Sequence, residues 1–226
     1  IARQALPGQF VNVQTSTHTA PLLRRPLGVA NVDPEKGVLT LIYRIIGEAT
    51  HILADACTGD RISIIGPLGH GFDLQAKKPL LIGGGLGLAP LVYLAKNFCP
   101  NPVEILMGGR TKKELFWMDI FEDLCKAIHI TTDDGSLGAE GTVLALLPEL
   151  LQKGGYDCIY VCGPEPMMKA VVEVAAKFEV PCQISLEKYM ACGLGACLSC
   201  SCGGVHKRLK VCTDGPVFWA QEVKEW

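Results

Sequence analysis

Between Met190 and Asp214 the chain reads Met-Ala-Cys192-Gly-Leu-Gly-Ala-Cys197-Leu-Ser-Cys200-Ser-Cys202, with a fifth cysteine at Cys212, so five of its 11 cysteines crowd into this stretch. Cys192, Cys197 and Cys200 are spaced C-x4-C-x2-C, and Cys212 follows at a distance that lets a fourth thiolate converge on them. That spacing and ligand type suit a [2Fe–2S] cluster. Structural zinc on four cysteines usually comes as two C-x2-C pairs, and only Cys197/Cys200 forms one here. Cys192, Cys197, Cys200 and Cys212 are the predicted metal ligands, which leaves Cys202 as a buried or spare thiol. His206 stands alone, whereas histidine-ligated centres of this kind need two. It is expected in a hairpin from Val205 to Val211.

With 226 residues the chain is long enough for one to two domains and a small appendage, and a net charge of −2 offers no cationic excess for nucleic acid or an anionic bilayer. Neither is an expected partner. An odd cysteine count in a chain of this length, with no signal peptide in view, reads as reduced and cytoplasmic. The uncharged run from Pro79 to Ala95 approaches a membrane span in length but is broken by Gly83, Gly84, Gly85, Gly87 and Pro90. The chain opens at Ile1 inside a strand-like pattern, so a preceding segment is expected.

From residue 1 to about 75, β-branched runs at Val11–Thr15, Val38–Ile46 and Arg61–Ile65 are punctuated by Pro and Gly, with no useful helical period between them. This predicts a small antiparallel barrel. Arg24-Arg25-Pro26-Leu27-Gly28, Ile42-Tyr43-Arg44 and Gly47-Glu48-Ala49-Thr50 lie within it. An arginine on a rigid Pro-containing edge can pair with a diphosphate, a strand tyrosine can lie against a flat ring, and a Gly/Thr turn can donate to phosphate. His70, in a glycine turn, reads as surface decoration.

From about 76 to 185 the pattern alternates. Strands are expected at Pro79–Ile82, Val103–Gly108, Ala127–Thr132 and Cys158–Cys162. Helices are expected near Pro90–Asn97, Lys113–Cys125, Val143–Lys153 and Pro166–Phe178. This is a parallel sheet with crossover helices, whose ligands belong at the carboxyl ends of the strands. Gly83-Gly84-Gly85-Leu86-Gly87-Leu88-Ala89-Pro90 follows the first strand and enters a helix at Pro90. Such glycines let a pyrophosphate approach the backbone, although the G-x-G-x-x-P spacing departs from the ordinary dinucleotide fingerprint. Gly109-Arg110 and Cys162-Gly163-Pro164-Glu165-Pro166-Met167 end two further strands. Arg110, Lys112 and Lys113 suit the 2′-phosphate of NADP, whereas Asp133 and Asp134 suit a free ribose, and sequence leaves both open. The last part, 186–226, carries the cysteines.

The Arg-Pro-x-Gly edge and the Cys-Gly-Pro-x-Pro-Met stretch resemble signatures of the ferredoxin reductase superfamily. Gly28 stands where that superfamily usually has Ser, and Ala49 where it usually has Gly. The stretch from Leu186 through Cys197, with Cys200, Cys212 and Asp214-Gly215-Pro216-Val217-Phe218, resembles the electron transfer subunits of class 1B dihydroorotate dehydrogenases over essentially the whole chain. The resemblance implies a multidomain α+β architecture: an antiparallel flavin-binding β-barrel, a parallel α/β nucleotide-binding domain and a small C-terminal [2Fe–2S] domain.

Carried over by motif, FAD meets Arg25, Pro26, Leu27, Gly28, Ile42, Tyr43, Arg44, Ala49 and Thr50. NAD meets Gly84, Gly85, Gly87, Pro90, Gly109, Arg110, Cys162, Gly163, Pro164 and Met167. The implied partner is an FMN-containing dihydroorotate dehydrogenase catalytic subunit, in a heterotetramer of two of each, serving pyrimidine biosynthesis. No acid–base constellation for an organic substrate is found in this chain, which fits that division of labour. A related resemblance is to the small flavin subunit of an NADH-dependent ferredoxin:NADP oxidoreductase or a hydrogenase complex, whose cluster stretch usually departs from four cysteines at this spacing. Outside redox chemistry, a nucleotide-binding module with a zinc-stapled tail shares the same parts.

Overall fold

The computed structural model describes residues 1–16 and 19–225. Three sheets organise the chain. In the first, β1 (Phe10–Val13), β2 (Arg25–Asp33), β3 (Val38–Leu41) and β4 (Ile64–Leu68) pair antiparallel in the order β3-β2-β1-β4. Val11, Val13, Val29 and Val32 fill its interior together with Ala2 and Ala5. Alternation along β1 sends Phe10 and Asn12 to the opposite face.

The second sheet has seven strands in the order β13-β10-β9-β5-β6-β7-β8. β5 (Pro79–Gly84), β6 (Val103–Gly109), β7 (Cys125–Thr132), β8 (Ala139–Glu140), β9 (Cys158–Cys162) and β10 (Cys182–Ser185) run parallel, and β13 (Val217–Trp219) joins β10 antiparallel. Period-two alternation splits its side chains between two cores. Leu80, Ile82, Leu106, Ile159 and Val161 face α4 (Leu147–Gly154) and α5 (Glu165–Lys177). Leu81, Ile105, Met107 and Tyr160 face α2 (Leu88–Asn97) and the short α3 (Met118–Phe121). Strands buried on both faces explain their near-continuous apolar composition.

The third sheet, in the order β12-β11-β14, joins β11 (Ser201–Gly204), β12 (Arg208–Lys210) and β14 (Val223–Glu225). Between β12 and β14 the chain leaves to supply β13, so the cysteine-rich part is stitched into the large sheet. The barrel is tied to the large sheet as well. Tyr93 of α2 donates to the Ala5 carbonyl at 3.0 Å, Lys96 donates to Asn31 at 3.1 Å, and Gln183 of β10 brackets Asp73 with bonds of 2.9 and 3.0 Å.

Several elements differ from the sequence reading. The barrel part contains a helix, α1 (Glu48–Ala54), whose start is set by Thr50 Oγ1 accepting the N–H groups of Ile46 and Gly47 at 3.0 and 3.1 Å. The strand expected from Val38 to Ile46 stops at Leu41, because the chain then turns into a cleft, and the strand expected at Arg61–Ile65 lies at Ile64–Leu68. Of the helix expected over Lys113–Cys125 only the turns Lys112–Glu114 and Met118–Phe121 form, and Cys125 already belongs to β7.

Helix α2 begins two residues before Pro90, at Leu88. Helix α4 begins at Leu147, where Pro148 suits a first turn, after a separate 3₁₀ turn at Val143–Ala145. The hairpin strands are Ser201–Gly204 and Arg208–Lys210, which puts His206 in the turn between them. β8, β10, β13 and β14 have no counterpart in the sequence reading. Among the described residues no helix is long and apolar enough to cross a membrane.

Leu106 is fully buried at the centre of the large sheet. Leu106→Ala is expected to cost about 2–5 kcal/mol, read as a lowered midpoint in chemical denaturation. At the far end of the same strand, burial alone would raise the Glu104 carboxyl, but hydrogen bonds from Tyr156, His129 and Lys126 outweigh it and hold the group at about 2. A depressed carboxylate stabilises the fold above its unfolded value, near 4.5, and that stability is lost as pH falls toward about 2. Thermal melts across that window should show a steeper acid loss for the native chain than for Glu104→Gln.

Candidate cofactor-binding site

A cleft of about 310 Å³ opens between the barrel and the large sheet. Arg25, Pro26, Leu27 and Gly28 of β2 form one wall, and Ile42, Tyr43 and Arg44, where the chain leaves β3, form another. Thr50 reaches it from α1, and Pro90 and Cys162 close it from the sheet side. The strand that ends early thus frees residues 42–46 to shape the wall. A Cβ added to Gly28 would meet nothing within 4 Å, so the wall stays open at that point. Ala49 is buried in the first turn of α1 and does not line the cleft. The Thr50 hydroxyl is already committed to capping its own helix.

The adjoining arginines have different roles. Arg24 is braced against Ser63 and Gln14 across the strand edge. Arg25 lines the cleft, with its Nη1 donating to the Leu23 carbonyl at 2.6 Å. A barrel wall with an arginine on a Pro-containing edge, a tyrosine and an open glycine position fits a flavin with a diphosphate arm.

A second cleft, of about 420 Å³, is lined by Gly84, Gly85, Gly87, Gly163 and Pro164. It shares Arg44, Leu86, Glu187 and Lys188 with the first, so the two are continuous. At Gly87 a Cβ would lie 2.5 Å from the Cys162 carbonyl oxygen and from Gly163, so only glycine lets the loops after β5 and β9 meet. Gly85 has φ +56°, with open space where a side chain would stand. These loops sit at the carboxyl ends of parallel strands, with α2 starting immediately after, which is where a dinucleotide's diphosphate is received.

Met167 does not line this cleft; its sulfur packs beneath Gly84, 2.7 Å from where a Cβ would stand. Gly109 and Arg110 lie outside both clefts at the end of β6. Arg110 is held by Glu114 through bonds from Nε at 2.8 Å and Nη2 at 2.5 Å. Burial pushes the Cys162 thiol up to about 12, so it stays protonated and serves as a wall rather than a nucleophile.

The motif cysteines lie against β1 of the barrel, where Asn12 donates to the Cys192 carbonyl at 3.2 Å. Cys200, Cys202 and Cys212 are buried, Cys192 is half-buried and Cys197 is exposed. The N–H groups of Leu194 and Cys197 point at Cys192 Sγ, at 3.3 and 3.4 Å, and the N–H of Cys212 points at Cys200 Sγ at 3.4 Å. Positive φ at Gly193 (+69°) and Gly195 (+80°) lets the loop fold back to present these donors.

Among the described residues no three metal-binding side chains converge on one point. The four motif cysteines stand instead as two pairs, Cys192 with Cys197 and Cys200 with Cys212. Two thiolates for each iron of a [2Fe–2S] group match that donor set. Hydrogen bonds from Ser199 and the Cys192 side bring the Cys197 thiol down to about 6, whereas burial and the Cys200 sulfur push Cys212 up to about 11. Cys202 sits on β11 paired with Leu209, in the apolar core.

Sequence reasoning did not assign Phe10, Leu86 or the segment from Ser185 to Lys188 to the site, yet all line the first cleft. No motif marks Phe10; only its placement on the outward face of β1 brings it there.

Two family models match. Residues 187–224 match the iron-sulfur cluster binding domain of dihydroorotate dehydrogenase B, and residues 81–173 match the oxidoreductase NAD-binding domain. The chain is 44% identical over 224 residues to a dihydroorotate dehydrogenase B (NAD(+)) electron transfer subunit from Caldanaerobacter subterraneus, covering 96% of this chain and 86% of the relative. It is 40% identical to the subunit of the same name from Desulforamulus reducens, covering 99% and 88%.

Among solved structures, one of NADH-dependent reduced ferredoxin-NADP oxidoreductase superposes with a TM-score of 0.88 at 33% identity, covering 100% of this chain and 82% of that one. The ferredoxin reductase of carbazole 1,9a-dioxygenase follows with a TM-score of 0.63 at 28% identity, covering 79% and 57%. The chain has the ferredoxin reductase-like fold and belongs to the family of dihydroorotate dehydrogenase B (NAD(+)) electron transfer subunits.

Proposed function

We propose that this chain exchanges hydride with NAD on one side and single electrons with a catalytic partner subunit on the other, within a dihydroorotate dehydrogenase serving pyrimidine biosynthesis. The partner carries FMN and oxidises dihydroorotate, and two copies of each chain form a cytoplasmic heterotetramer. One observation carries this reading: the flavin-shaped cleft opens directly into the nucleotide cleft, while its wall residue Phe10 lies in the same buried core as Cys200, Cys202 and Cys212. Two continuous clefts, the first joined to the cysteine-rich core by apolar packing, suit a converter from electron pairs to single electrons. When bound, FAD handles electrons in pairs or singly, and the [2Fe–2S] cluster handles them singly.

The residues of the chain do the positioning. Arg25 to Gly28, Ile42, Tyr43 and Arg44 hold the flavin against the barrel. Gly84, Gly85, Gly87, Pro90, Gly163 and Pro164 let the nicotinamide nucleotide approach, and Cys162 shields the meeting point from water. Cys192, Cys197, Cys200 and Cys212 ligate the cluster, with backbone N–H groups aimed at their sulfurs to set its potential. Arg110 is neutralised by Glu114, and the neighbouring Asp133 and Asp134 suit an unphosphorylated ribose, so NAD is preferred to NADP.

The likeness to the NADH-dependent ferredoxin-NADP oxidoreductase structure supports a second reading, in which the partner draws on ferredoxin instead. The higher identity to the dihydroorotate dehydrogenase subunits, 44% against 33%, favours the first.

Protein purified without air should contain about two irons and one FAD per chain. Together with an FMN subunit it should couple dihydroorotate oxidation to NADH formation. Zinc without flavin would sink the electron-transfer reading, and turnover with ferredoxin but not dihydroorotate would favour the second. For the ligand set, Cys200→Ser should abolish the iron content and visible spectrum of the cluster, while Cys202→Ser keeps both. The reverse pattern would show the cysteine register to be wrong.

A further inference from the structure

Asn12 lies on the outward face of β1, only 1% exposed, between the barrel and the cysteine loop. Its Nδ2 donates to the Cys192 carbonyl at 3.2 Å. A Cβ on Gly193 would stand 2.1 Å from that nitrogen, so the amide occupies the space a side chain at 193 would need. Its Oδ1 is buried and has no hydrogen-bond partner among the described residues. Across the ladder, Asn12 pairs with Pro26, which lines the flavin cleft. One residue therefore touches the backbone of a cluster ligand and stands opposite a wall of the flavin site.

A buried acceptor left unpaired is costly, and an apolar side chain of the same size would avoid that cost. That face of the strand does not itself require a polar residue, since Phe10, two residues away on the same face, is apolar. What the amide supplies that leucine cannot is the hydrogen bond to the ligand's backbone, the kind of outer contact that orients a metal ligand and tunes its centre.

We propose that Asn12 is a positioning residue for electron exchange: it clamps the Cys192–Gly193 backbone onto β1 and so sets both the placement of the cluster relative to the flavin cleft and the cluster's reduction potential. This rests on the electron-transfer reading given above. When NADH is formed, two single electrons and one proton from water make up each hydride; when NADH is oxidised, two single electrons leave one at a time and the proton goes to water.

The test uses the full chain with its bound groups, purified without air, as wild type and as Asn12→Leu. Iron and flavin are counted first. The electron paramagnetic resonance spectrum and reduction potential of the cluster are then measured, and flavin-to-cluster exchange is followed by rapid mixing beside NADH-to-flavin reduction. Asn12→Leu should keep its iron and flavin, alter the cluster's spectrum and potential, and slow exchange about tenfold relative to the NADH step.

An unaltered spectrum with unaltered exchange would overturn the proposal. So would equal slowing of both steps or loss of iron from Asn12→Leu. Wild-type protein without iron would overturn the electron-transfer reading itself, and the proposal with it.

Discussion

Strand β1 is buried along its whole length, and both of its faces are packed. Inward, Val11 and Val13 close the barrel; outward, Phe10 and Asn12 meet the cleft and the cysteine-rich core. A two-sided strand cannot slip by one residue without turning its valines out of the barrel and its asparagine into it. That register holds the flavin wall, through β2, at a set distance from the cysteine loop. The other placements in the molecule follow from it: α2 is tied to the barrel by Tyr93 and Lys96, and the segment after β4 is pinned to the large sheet through Asp73 and Gln183.

The two clefts and the cysteine loop are built by different physics. The nucleotide side relies on close backbone approach, seen at Gly87, where any side chain would strike the opposite loop. The flavin side relies on shape, built from a strand that ends early and a seven-residue helix capped by Thr50. The cysteine loop relies on N–H groups aimed at sulfur, with left-handed glycines making the turn affordable. Electrostatics separates these regions from the remote end of the sheet, where Glu104 gathers Tyr156, His129 and Lys126 with no connection to either cleft.

Sequence revealed the parts that depend on short-range pattern. The apolar runs of β5, β6 and β9, the glycine turn after β5 and the cysteine spacing were all legible, because local periodicity and residue type determine them. Elements set by distant packing were not. The strand expected to run to Ile46 ends at Leu41 because its continuation is needed as a cleft wall, which no local propensity encodes. Val217 and Phe218 enter the sequence reading only within the family-like stretch, and pairing with the edge of β10 makes them strand β13. The helix expected after Lys113 breaks into turns because Phe116 and Trp117 stack on one another while Trp117 is drawn into the core. At the site, Met167 and Ala49 belong to motifs yet support the clefts from beneath, while Phe10 and Glu187 line them from outside any glycine or arginine motif.

The central claim is that hydride taken at the nucleotide cleft emerges as single electrons at the cysteine loop. The most direct measurement is the electron paramagnetic resonance spectrum of the isolated chain after anaerobic addition of NADH alone. A signal from one reduced iron–sulfur cluster should appear, and it should be lost when the flavin is stripped and regained when FAD is restored. Bleaching of the flavin by NADH with the cluster remaining silent would contradict the account.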